Sequence, residues 1–117
     1  MTIELDLQKV SNCESIPARA KFEHWVRQAL QDAGQTLLTI RVVDQEESAS
    51  LNERYRSKQG PTNVLSFPAE LPAEINLPLL GDIVICAPLV EFEAMQQAKV
   101  TEAHWAHLVI HGVLHLL

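Results

Sequence analysis

The hydrophobic period of this chain switches repeatedly between two and three-to-four residues, and that alternation restricts its fold more than any other feature. Ile3-Glu4-Leu5-Asp6-Leu7 alternates apolar and acidic residues, the period of a strand with one buried face and its acids in water. From Pro17, suited to a first helical turn, Phe22, Trp25, Val26, Ala29 and Leu30 recur at helical spacing until Gly34 stops the pattern. Residues 37–43 are β-branched and mostly apolar, a strand, after which Asp44 offers an N-cap to a short polar helix through Tyr55. Residues 57–61, with Lys58, Gly60 and Pro61, read as a surface loop. Residues 63–67 and 81–86 read as two further strands, separated by a mobile excursion containing Pro68, Pro72 and Pro78. Pro88 opens a helix through about Ala98, and Thr101 starts another that runs to Leu117. The order β-α-β-α-β-β-α-α implies an α+β or mixed α/β layer fold, about four strands in a mixed sheet packed with helices. No repeat or Gly/Ser-rich linker divides it, so residues 1–117 are expected to form one domain.

Charge and cysteine content exclude several classes. A net charge of −6 argues against a generic nucleic-acid binder, because non-specific affinity comes from neutralising many phosphates with Lys and Arg. Any RNA contact is therefore local. The N-terminal residues lack the basic run and apolar stretch of a signal peptide, and no segment is long enough to span a membrane. Cys13 and Cys86 lie far apart without C-x-x-C spacing, suggesting neither a zinc ribbon nor a disulfide framework. A cytoplasmic protein is the expectation.

Four of the five histidines fall in the last helix, at positions 104, 107, 111 and 115. At about 100° per residue they occupy one stripe roughly 80° wide. The other positions are almost all apolar around the circumference, the pattern of a helix buried on most sides, so the imidazoles need partners. His111 and His115, at i and i+4, can aim their ring nitrogens at one divalent ion. Core histidines bonded to carbonyls or carboxylates would share that spacing. Gly112 stands where H-E-x-x-H has its glutamate, which disfavours a zinc protease. Two ligands are also fewer than the three a catalytic zinc site usually takes from protein. His104 and His107 read as structural, or as supports for the ligands. Gly112 costs about 1 kcal/mol relative to alanine in a helix interior, so it serves either a close approach by backbone or substrate, or a plain packing contact.

Arg54, Arg56 and Lys58 give an acidic chain one local positive patch just before residues 60–63. Arginine grips phosphate through two parallel hydrogen bonds and stays charged, making Arg56 a candidate binder and transition-state stabiliser. Solubility or the helix dipole would explain the same cluster. Thr62, Asn63 and Ser66 add small polar groups that could line a groove. Asp82 could orient a histidine or cap its own turn.

Together, Asn52-Glu53-Arg54-Tyr55-Arg56, Pro61-Thr62-Asn63-Val64-Leu65-Ser66-Phe67-Pro68, Leu80-Gly81-Asp82-Ile83-Val84-Ile85 and His111-Gly112-Val113-Leu114-His115-Leu116 closely resemble the YbeY family of bacterial endoribonucleases. The resemblance implies a single-strand-specific, zinc-containing nuclease of the cytoplasm that matures the 3′ end of 16S ribosomal RNA and takes part in ribosome quality control. Its partners would be single-stranded rRNA, the small ribosomal subunit and associated proteins, with neither membrane nor DNA. The family hallmark H-x-x-x-H-x-x-x-x-x-H places its first two zinc ligands on His111 and His115. The functionally important arginine falls on Arg56. The third histidine would lie beyond Leu117, so the chain is expected to lack the segment that carries it. By this resemblance Arg56 and His111 are the catalytic candidates, and Arg56, Lys58, Thr62, Asn63 and Ser66 the substrate-binding ones. The alternatives are a non-catalytic ribosome-assembly factor holding RNA or a ribosomal protein in the same groove, and, more distantly, a metallohydrolase of another substrate.

Overall fold

A computed structural model of the chain describes residues 2–31, 35–72, 74–75 and 77–117. Four strands and four helices follow one another in the expected order: β1 (Thr2–Lys9), α1 (Arg19–Leu30), β2 (Gln35–Val43), α2 (Gln45–Arg56), β3 (Val64–Pro68), β4 (Leu79–Cys86), α3 (Ala87–Gln96) and α4 (Thr101–Leu116). The sheet runs β1-β2-β4-β3. β1, β2 and β4 are parallel, while β3 pairs antiparallel with β4. The fold is therefore a mixed α/β domain with β3 on a free edge.

One face of the sheet carries the main core. Leu38, Ile40 and Val42 of β2 and Ile83 and Ile85 of β4 meet Phe22 and Val26 of α1 and Trp105, Val109 and Val113 of α4. Phe22 sits at the centre, its ring edge-on to both Trp25 and Trp105 at 5.7 Å. The opposite face is thinner: Val43, Leu65 and Val84 are covered by Leu51 of α2 and by Phe67. The strict alternation of strand side chains sends Ser66 toward α4 and its neighbours Leu65 and Phe67 toward α2.

Several local expectations are corrected. Asp44 holds the N-cap position of α2 but makes no capping bond. Its carboxylate instead accepts from the Ser11 hydroxyl and the Asn12 amide, tying down the segment after β1. α1 starts at Arg19, two residues beyond Pro17, and the Gly34 stop lies outside the described residues. α3 stops at Gln96 because Ala98 adopts a left-handed φ of 54°. The Lys99 amide then returns to the Ala94 carbonyl at 2.9 Å and the Ala98 amide to that of Met95, a Schellman closure made without glycine.

Gly81 fixes the β3–β4 edge. The β2–β4 register skips Leu80, passing from Leu79 to Gly81, and Gly81 adopts φ +146°. A Cβ there would lie 2.4 Å from the Phe67 carbonyl oxygen. Only glycine permits that approach of the two backbones.

Candidate metal and phosphate site

The last helix is not buried on most sides, as its composition had suggested. His107, His111 and His115 are exposed, and of the stripe only His104 is buried. Gly112 explains the seating: a Cβ on it would stand 3.1 Å from Ile83 Cγ2, and its carbonyl accepts a bond from the Ser66 hydroxyl at 3.1 Å. The glycine is thus a packing contact that lets α4 lie close to β3 and β4, leaving the histidine edge over the sheet margin.

At that margin the Nε2 atoms of His111 and His115 face each other at 2.9 Å. Partial desolvation against the sheet margin, and then the neighbouring His115 and His107, hold the pKa of the otherwise exposed His111 imidazole below its ordinary value. The neutral ring so favoured is the form that offers a lone pair to a metal. Two zinc–nitrogen bonds of ordinary length at the tetrahedral angle place their nitrogens about 3.3 Å apart, so the observed 2.9 Å needs to widen by only about 0.4 Å. The pair therefore fits two donors of a divalent ion. Among the described residues no third His, Cys, Asp or Glu side chain joins them.

Arg56 reaches the same place from the end of α2. A groove of about 610 Å³ runs along the free edge of β3, and its walls include Arg56, Thr62, Asn63, Ser66, His111 and His115. Neither Arg56 nor Arg54 has a carboxylate partner among the described residues, although other cations of the chain do: Arg41 is paired with Glu47 and Lys21 with Glu102. The Arg56 guanidinium is therefore free to take an anion. Lys58 is exposed on the loop beyond the groove wall. Asp82 cannot orient a histidine, because the pleat turns it to the α2 side of the sheet, where it lines a different cavity.

The loop between α2 and β3 is held by two buried polar residues. The Ser48 hydroxyl donates to the Thr62 carbonyl at 2.7 Å and accepts from the Thr62 amide at 3.0 Å. Asn52 Nδ2 donates to the Gly60 carbonyl at 2.9 Å. Both side chains are almost fully buried, at 2% and 4% exposure. Asn63 is anchored from the other side: its amide donates to Glu93 Oε1 at 3.0 Å, and the same oxygen is 2.8 Å from His104 Nε2. Of the sequence-derived groove residues, then, Asn63 and Ser66 already spend polar atoms on protein partners. They shape the groove, whereas Arg56, His111 and His115 present free chemistry to it.

Reading the sequence missed Ser48 and Glu93. Ser48, Leu51, Asn52 and Tyr55 follow the i, i+3, i+4, i+7 pattern, so a polar pair on the inward stripe of α2 was the available signal. Nothing local marked Glu93.

Comparison with known proteins matches residues 6–117 to the family described as endoribonuclease YbeY. The chain is also similar to the solution structure of TM1509 from Thermotoga maritima, with 24% identity and a TM-score of 0.64, covering 98% of this chain and 71% of that one. That likeness bears on the fold. Among the described residues no helix is long and apolar enough to cross a membrane.

Proposed function

We propose, from the premise that this chain belongs to the YbeY endoribonuclease family, that it is a single-strand-specific, zinc-dependent endoribonuclease acting on the 3′ end of 16S rRNA and in ribosome quality control. One observation supports this above the rest: a lone arginine and a converging histidine pair, brought from α2 and α4, face one groove at the edge of β3. His111 and His115 would hold the zinc. Bound there, a divalent ion supplies Lewis acidity, activating water or polarising a phosphate oxygen.

The chain's own groups do the rest. The free Arg56 guanidinium grips the phosphate and neutralises charge that builds on it as the P–O bond breaks, a stabilisation larger in a partly enclosed groove than in open water. Thr62 lines the wall beside it, and Asn63 and Ser66, fixed by Glu93 and by the Gly112 carbonyl, keep that wall in place before substrate arrives. The acidic balance of the chain confines RNA contact to this basic end of α2, the cytoplasmic rRNA and small-subunit proteins being the partners.

The count of two donors among the described residues favours a second reading, RNA or ribosomal-protein binding without cleavage. Zinc per chain by elemental mass spectrometry, alongside cleavage of a single-stranded RNA, separates the two. Near one zinc, lost in His111→Ala, with cleavage lost in a folded, zinc-loaded Arg56→Ala, supports the nuclease. RNA binding with neither zinc nor cleavage supports the second reading, and full activity in Arg56→Ala removes the role given to that residue.

A further inference from the structure

The groove beside the histidines has a neighbour across β3. A second cavity, of about 560 Å³, opens on the α2 face of the sheet and is lined among others by Asp82 and by Arg41 with its partner Glu47, so it offers no unpaired cation among the described residues. Tyr55 and Phe67 belong to the walls of both cavities. They form the ridge between them, one residue from Arg56 on the helix and one from Ser66 on the strand.

Tyr55 is 56% exposed, and a single exposed aromatic is by itself ordinary. What sets this one apart is its neighbours. Phe67 meets it edge-on at 5.3 Å and 70°, and the Arg54 guanidinium lies over it at 5.4 Å from the ring centroid. With Arg54 over one side of the ring, the exposed remainder of Tyr55, beside Arg56 on an otherwise acidic protein, combines the two elements of single-strand recognition: cations for the backbone and a π-face for the base. A paired base has both faces covered by its neighbours in the duplex and cannot use such a surface without being unstacked.

We infer that Tyr55, braced by Phe67, is a nucleobase-stacking residue: it takes the base next to the phosphate gripped by Arg56. The inference rests on the RNA reading of the groove and deepens it, assigning the preference for single strands to a named side chain. Because every base has a π-face, the stacking discriminates strandedness and not base identity.

The test is the dissociation constant of the zinc-loaded protein for a fluorescently labelled uridine 12-mer with a hydrolysis-resistant phosphorothioate backbone, read by anisotropy beside an abasic 12-mer with the same backbone. Tyr55→Ala weakens binding of the uridine strand by about 5- to 150-fold, the range of one lost stacking contact, and Tyr55→Phe restores it to within about twofold of wild type. Wild-type protein prefers the uridine strand to the abasic one, and Tyr55→Ala does not alter binding of the abasic strand. Equal binding of the uridine strand by wild type and Tyr55→Ala overturns the inference while leaving the RNA groove intact. An equal loss on both strands also overturns it, showing that the ring only shapes Arg56. Wild-type protein that binds neither strand overturns the RNA reading itself.

Discussion

Replacing Ser48 with alanine tests whether the α2–β3 loop is held as described. The substitution removes one oxygen and leaves no large cavity, so packing changes little and the hydrogen bonds are isolated. Two bonds are lost, both to Thr62, at 2.7 and 3.0 Å. Each is worth about 1 kcal/mol net, and leaving their partners unsatisfied adds to this. Thr62 is only half-buried, so water recovers part of that second cost. The expected loss is about 2 kcal/mol; with a urea m-value of about 1.5 kcal/mol/M, the unfolding midpoint falls by about 1.3 M at unchanged m. Hydrogen exchange gives the local readout, because the Thr62 amide loses its acceptor and its protection falls more than that of the core amides of β2. A midpoint within about 0.3 M of wild type, together with unchanged exchange at Thr62, would refute the idea that Ser48 straps the loop.

Further outcomes follow from the same physics. Gly81→Ala is expected to cost more than about 4 kcal/mol, since its φ of +146° and a Cβ 2.4 Å from the Phe67 carbonyl both demand backbone movement; a thermal midpoint near that of wild type would contradict this. Phe22→Ala, at the fully buried meeting point of both tryptophans, lowers stability by about 3–5 kcal/mol, measurable by urea titration of the fluorescence of Trp25 and Trp105. The hydrogen bond and charge of Arg41 hold the Glu47 carboxyl below its ordinary range, so the pair's contribution is present at neutral pH and is lost as pH falls through the folded-state pKa. Both side chains are about one-third exposed, at 36% and 35%, which limits the effect to below about 1 kcal/mol. Arg41→Gln therefore lowers the urea midpoint slightly at about pH 7 and not at about pH 2; an equal loss at both would assign the effect to packing.

Much of this molecule is written locally. The order of strands and helices follows from hydrophobic period, because a side chain's direction along a strand or helix is set within a few residues. The inward stripe of α1, the alternation of β1 and the i, i+4 pairing of His111 with His115 are all of this kind. The misread details are those in which a distant group competed for a local one. Asp44 abandoned its helix for Ser11, and α4, read as buried on most sides, turns only His104 of its histidines inward, onto Glu93 of α3. Only the tertiary structure decided that Arg56 shares a groove with the histidines at all. That arrangement depends on β3 taking the free edge beside β4, on Gly81 and Gly112 allowing close approach, and on Ser48 and Asn52 drawing the loop back onto α2. Hydrophobic period fixes which face of an element is buried and carries no information about which elements become neighbours. The sheet order that settles this is selected by long-range packing over the whole chain.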